Sequence, residues 1–261
     1  MCAPNGARKI KADHPALPIA PSELADCAES ILEAGASIMH VHVRDDDNRH
    51  SLDVDRYRAA IDAIRERVDD RLVIQVTTEA CGIYSAGQQM DMVRQLKPEA
   101  VSLGLNELCP NVTAEAAARE FFSWLQTENV MAQYILYSPE EVVRFNLLRE
   151  KGVIPDTRPF VLYVLGRYSD DLTGDPRDLE LFSAAAEKDT EWAVCCFGKS
   201  EQTAASLASA MNGHTRVGFE NNLLAPDGGT ATNNAALVRL AAVCNGDRPV
   251  ATANDVREMF A

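Results

Sequence analysis

No apolar stretch in this 261-residue chain approaches the ~20 residues that cross a bilayer; Phe160 to Leu165 is among the longest. No membrane partner is therefore expected. Positive charge is also short, with 25 Lys and Arg against 39 Asp and Glu. The resulting net charge of −14 argues against nucleic acid or an anionic membrane surface as the main partner. Met1-Cys2-Ala3-Pro4 lacks a basic region followed by an apolar one, so no signal peptide is expected. The seven cysteines are an odd number without zinc-finger spacing, which predicts reduced thiols and a cytoplasmic protein. A Gly-x-Gly-x-x-Gly turn is missing, and Ala193 stands where Gly198-Lys199-Ser200 would need a leading glycine to make a Walker loop. That stretch is left only with backbone amides at a helix start, which can face an anionic ligand. Repeats, low-complexity tracts and charge blocks are absent too.

What is present is a regular alternation of strand and helix. After a possible short strand in Met1 to Gly6, strands are expected at Ser37–Val43, Leu72–Thr77, Ala100–Leu105, Val130–Tyr137, Phe160–Leu165, Trp192–Phe197 and Thr215–Phe219. Helices are expected between them: one capped by Ser22, one by Asp53, one from Gly87 to Leu96 and one capped by Thr113. Others open at Pro139, Pro176, Ser200 and Asn233, with a last short one from Asn254. Eight such units in a chain of this length make a single (β/α)8 TIM barrel over residues 1–261, with its chemistry at the carboxyl ends of the strands. An open doubly wound sheet is the alternative, disfavoured by the count of eight.

The segment Ser37-Ile38-Met39-His40-Val41-His42-Val43-Arg44 sets the site. As a strand it turns Met39, Val41 and Val43 to one face and His40, His42 and Arg44 to the other. Two imidazoles on an inner face need partners, and a metal ion is one way to satisfy them. On the eighth strand the same alternation turns Arg216, Gly218 and Glu220 inward. Strands two and eight both flank strand one in a closed barrel, so Glu220 can join His40 and His42 in a catalytic zinc set with an open position. Strand ends three and four add Thr77, Thr78 and Glu79, then Ser102, Asn106 and Glu107.

At these residues the chain resembles the β-keto acid cleavage enzymes, the 3-keto-5-aminohexanoate cleavage enzyme family. The matching stretches are Asn5-Gly6-Ala7-Arg8, Lys11-Ala12-Asp13-His14-Pro15, His40-Val41-His42-Val43-Arg44-Asp45, Val76-Thr77-Thr78, Ser102-Leu103, Val164-Leu165-Gly166 and Gly213-His214-Thr215-Arg216-Val217-Gly218-Phe219-Glu220. They run through nearly the whole chain in order. The resemblance implies a (β/α)8 zinc enzyme, with Zn²⁺ on His40, His42 and Glu220 and acetyl-CoA as co-substrate. It would exchange acyl groups between a β-keto acid and acetyl-CoA, giving acetoacetate and a new acyl-CoA, and work as a homo-oligomer. Arg216 would assist activation of the keto acid. Asn221 stands where the family motif has an aspartate assigned to proton abstraction. Thr77 and Ser102 complete the catalytic candidates. Arg8 stands where the aminohexanoate enzyme has a glutamate for the substrate ammonium, and Glu79, Asn106 and Glu107 join it as substrate-binding candidates. A β-keto acid suits the site chemically, since its carboxylate and ketone oxygen can both meet one metal ion and Arg216 can stabilise developing oxyanions.

Two rival readings remain at this level. Metal-dependent barrel hydrolases also use His-x-His, but they usually draw histidines from later strands, and this chain has only five. A metal- or CoA-binding protein without this activity is the other, motivated by Asn221.

Overall fold

The computed structural model describes residues 1–260. Seven parallel strands form one curled sheet in the order β1 (Ile38–Val41), β4 (Val73–Thr77), β5 (Ala100–Gly104), β6 (Met131–Leu136), β7 (Phe160–Leu165), β8 (Glu191–Cys196) and β9 (His214–Thr215). The gap between the two ends is filled by Cys2, which bridges Met39 on one side and Val217 on the other. Its amide donates to Ile38 O (2.9 Å), its carbonyl accepts from His40 N (2.8 Å), and Ala3 N reaches Val217 O (2.9 Å). The first strand of the barrel is thus reduced to a single bridge residue. It suffices because the turn that follows is held by side chains rather than by a ladder.

The strand expected over Ser37–Val43 breaks at His42 and resumes as β2 (Val43–Arg44), which pairs antiparallel with β3 (His50–Ser51). At the break the Asn5 side chain takes the place of a neighbouring strand. Its amide nitrogen donates to His42 O (2.9 Å) and its oxygen accepts from His42 N (3.4 Å). Strand eight is likewise shorter than expected, so Glu220 sits on a turn.

Ten α-helices cover and close the sheet among the described residues. They are α1 (Pro21–Glu33), α2 (Val54–Val68), α3 (Ala86–Leu96), α4 (Leu105–Leu108), α5 (Glu115–Thr127), α6 (Pro139–Glu150), α7 (Leu179–Ala185), α8 (Glu201–Ala210), α9 (Asn234–Val243) and α10 (Ala253–Phe260). Asp53, Ser138 and Asn233 cap as their sequence positions demand, each accepting from the third residue onward. Ser22 does not cap. Pro21 opens α1 one residue earlier, and Glu23 reaches back to the Ile19 and Ala20 amides (2.9 and 3.1 Å). Thr113 does not cap either, because Asn111 accepts from its amide and hydroxyl and starts a 3-10 turn ahead of α5.

Met39, Val41 and Val43 belong to the large core between sheet and helices. The other face of the strands carries a smaller core of Ile38, Val73, Phe160, Leu162 and Val164. Helix α10 closes that end, with Ala253 and Val256 in the cluster and Phe260 stacked 4.6 Å from Phe160. The amino-terminal mouth is therefore plugged with apolar side chains. Polar chemistry is left to the opposite end.

Candidate metal centre and active site

Three buried or half-buried side chains converge at that carboxyl-terminal end. His40 Nε2 and His42 Nε2 lie 3.1 Å apart, and Glu220 Oε2 is 3.6 Å from the first and 3.4 Å from the second. A tetrahedral ion with bonds of about 2.0–2.1 Å holds its ligand atoms roughly 3.3 Å apart. The triangle fits such an ion. Among the described residues these three form the one group of His, Cys, Asp and Glu able to hold a metal.

The donor atoms are also in the right state. A row of side chains crosses the barrel interior from His40: Gln75 Nε2 donates to Gln133 Oε1 (3.2 Å), which leaves Gln75 Oε1 to face His40 Nδ1 at 2.9 Å. His40 therefore carries its proton on Nδ1 and turns the Nε2 lone pair towards Glu220. Burial drives its pKa down to about 3, so it is neutral at any physiological pH. Burial alone would raise the Glu220 carboxyl. The charged Arg216 guanidinium outweighs that and holds it well below the usual carboxylate range. Glu220 Oε2 is buried with no hydrogen-bond partner, although it carries charge. An orphaned carboxylate oxygen beside two imidazole nitrogens is the donor set of a divalent cation.

Glu220 is carried to this point by tight packing. Gly6 has φ +63°, and a Cβ there would lie 2.6 Å from Glu220 Cγ. Glu220 N donates to Ala3 O (3.0 Å), and Lys9 Nζ reaches Glu220 O (2.7 Å). Behind the turn, Glu201 accepts from Gly218 N (3.0 Å) and Asn222 Nδ2 (3.3 Å), while Asn234 accepts from Phe219 N (2.9 Å) and donates to Pro4 O (3.0 Å). Glu201 opens α8 and is fully buried, which pushes its pKa up to about 8. The amide of Gly198 is consumed by Asn221 O (3.1 Å), so the Gly198-Lys199-Ser200 turn is occupied from within.

Arg216 is buried against Glu220 Oε1 (3.3 Å) and Cys195 Sγ (3.5 Å). Its Nε and Nη1 have no partner. Burial would lower its pKa, but the Glu220 carboxylate overrides this and keeps it charged. Asn221 is buried with both side-chain polar atoms unpartnered. Thr77 lines the pocket with His40, Arg216 and Glu220, and its hydroxyl accepts from Glu79 N (3.0 Å). Ser102 faces the interior, buried, with its hydroxyl unpartnered.

The substrate-side candidates divide. Glu79 and Glu107 both line the pocket. Glu79 Oε1 pairs with Arg8 (3.6 Å) and Arg167 (3.5 Å), and its Oε2 lies 4.0 Å from His42 Nδ1. Glu107 Oε2 accepts from Ala80 N (3.0 Å), and burial raises its pKa to about 7. Asn106, expected near the substrate, is turned outward on α4 and held by Glu141 and Arg144. Arg8 is largely exposed at the rim. Arg44, read as an inner-face group, instead grips the carbonyls of Gly6, Ala7 and Lys9 and fixes that loop.

The chain as a whole has named relatives. The family model for β-keto acid cleavage enzymes matches residues 1–261. The chain belongs to the β-keto acid cleavage enzyme family. It is 31% identical to a 3-keto-5-aminohexanoate cleavage enzyme of Fusobacterium nucleatum, over 98% of this chain and 94% of that one. It is 28% identical to a 3-oxoadipate:acetyl-CoA acetyltransferase of Cupriavidus necator, over 98% and 91%. Among solved structures, apo ObcA superposes with a TM-score of 0.73 at 16% identity, over 94% of this chain and 65% of that one, and shows the shared barrel fold.

Sequence reasoning missed Asn5, Glu201 and Asn234, which shape the site without facing it. Gln75 and Gln133 did leave a signal, as single amides at inward positions of mainly apolar strands.

Proposed function

We propose that this protein is a zinc-dependent β-keto acid cleavage enzyme that exchanges acyl groups between a β-keto acid and acetyl-CoA. The bond between C2 and C3 of the keto acid breaks, its acyl group passes to the CoA sulfur, and the acetyl group joins C2 to give acetoacetate. The supporting observation is the triangle of His40, His42 and Glu220 with the unpartnered donors of Arg216 beside it. A zinc ion held by the three would act as a Lewis acid towards the keto acid oxygens. Arg216 offers Nε and Nη1 to the charge that develops as the carbon–carbon bond is made and broken, in a site largely screened from water. Thr77 and Ser102 place hydroxyls on the same inner face. Asn221 cannot accept a proton as a carboxylate can; its unpartnered amide can offer only hydrogen bonds to a substrate. The unpaired cysteines and the use of acetyl-CoA fit a cytoplasmic enzyme, and the family resemblance a homo-oligomer. Incubation with acetyl-CoA and a panel of β-keto acids, read by mass spectrometry, should give acetoacetate and the matching acyl-CoA. Hydrolysis to free acids, or no turnover with any of them, rejects the reading.

One observation bears on the keto acid's far end. Arg8 and Arg167 are committed to Glu79, whereas Glu107 has no basic group within 4 Å among the described residues. An unpaired carboxylate against an alkyl chain would lose solvation or take up a proton. An amino-bearing keto acid is therefore expected to exceed its isosteric alkyl analogue in kcat/KM, and Glu107→Gln to narrow the gap. Equal preference in both proteins would remove Glu107 from substrate recognition.

A further inference from the structure

Behind His40, two amides stand in a part of the barrel that is otherwise filled with apolar side chains. Gln75 on β4 is in register with His40, and Gln133 lies beyond β5 on β6. Ala100, the β5 partner of Gln75 in register, is small enough for the two amides to meet over it at 3.2 Å. Both glutamines are fully buried, and neither borders the pocket that holds His40, Arg216 and Glu220. Buried polar groups so close to an apolar core are costly unless they bond each other, which these do.

An amide has a donor end and an acceptor end, so a row of amides has a direction. At the far end Gln133 Nε2 faces the Met1 sulfur at 3.6 Å, a weak acceptor that cannot donate. Gln133 Oε1 is thereby turned to Gln75 Nε2, and Gln75 Oε1 to His40 Nδ1. In the reverse direction an amide N–H would meet Nδ1, and the imidazole would carry its proton on Nε2 instead. That nitrogen could not bind a metal, and it would donate across 3.1 Å to His42 Nε2. His42 has no fixed partner of its own, since its Nδ1 is buried without a hydrogen bond, 4.0 Å from Glu79 Oε2. The orientation of the histidine pair therefore rests on His40.

We propose, building on the metal reading above, that Gln133 is a positioning residue for the metal centre. It acts through Gln75, whose oxygen then holds the His40 proton on Nδ1 and leaves the Nε2 lone pair facing Glu220. The row supplies orientation rather than stability. Two buried groups that bond each other can be exchanged for apolar ones of the same shape at little cost to a fold.

The test is zinc affinity by competition with a chromophoric chelator. Gln133→Met keeps the length of the side chain and removes the acceptor, and should weaken zinc binding about tenfold or more, as should Gln75→Met/Gln133→Met. Gln133→Glu, which still offers Gln75 an oxygen, should stay within about threefold of wild type. With cobalt(II) in place of zinc, the visible bands should match wild type in Gln133→Glu and change in both methionine variants. After chelator treatment, wild type and the double variant should melt alike. Wild-type affinity and cobalt spectrum in Gln133→Met would overturn the proposal. So would an equal loss in Gln133→Glu, or a stripped double variant that melts well below stripped wild type, because the row would then serve the fold. A wild-type protein that takes up no zinc would instead remove the metal centre on which this rests.

Discussion

At the scale of single residues, the site depends on charges that burial alone would suppress. Arg216 and Glu220 keep each other ionised, and Arg216 still has donors to spare. Replacing Arg216 with Lys keeps the charge but loses the planar fork. Turnover is expected to fall by roughly 100-fold or more, the scale of losing an oxyanion donor, with metal content intact. Near-normal turnover would make Arg216 only an ion-pair partner of Glu220. Glu201 behaves in the opposite sense. Burial lifts its folded pKa from 4.5 to about 8, so its protonated form is the stable one in the fold. Its contribution is full below the unfolded value and is lost as pH rises through about 8. Thermal stability of the metal-saturated protein should therefore decline between pH 5 and 9 by more in wild type than in Glu201→Gln. Parallel profiles would show that Glu201 does not titrate in this range.

At the scale of elements, the turn after β9 is the working part, and it is set by contacts from distant segments. Gly6 must accept both a positive φ and the Glu220 side chain against its Cα. Gly6→Ala should displace Glu220, lower metal affinity and destabilise the fold by about 1–3 kcal/mol, measured by zinc titration and thermal melts. Unchanged affinity would mean that the loop moves aside at no cost to the ligand. This turn also marks how much the sequence disclosed. Period-two alternation predicted inner-face positions for His40, His42, Arg216 and Glu220, but only His40 is carried by a strand of the covered sheet; the other three lie just past the paired strands. It could not show that His42 leaves the ladder, since the partner that replaces the strand is a side chain, Asn5, 37 residues away. Helix starts at Asp53, Pro139 and Asn233 were legible from local capping chemistry. Those at Ser22 and Thr113 were not, because a better donor–acceptor arrangement lay one or two residues earlier. Asn106 was misplaced for a similar reason: the chain turns into α4 immediately after Gly104, which carries its side chain out to Glu141 and Arg144.

For the whole molecule, the barrel separates stability from chemistry. One end is filled by Phe160, Leu162, Val164 and the plug of α10, and the other carries the buried charges. Closure through Cys2 brings the second and eighth strands within reach of each other, which is what gathers two histidines and a glutamate far apart in sequence into one group that could hold an ion. The most direct test of that claim is elemental analysis of the purified protein beside His40→Ala, His42→Ala and Glu220→Ala. Wild type should carry one zinc ion per chain, and each variant, still folded, should lose most of it. Full zinc occupancy in all three variants would contradict the account.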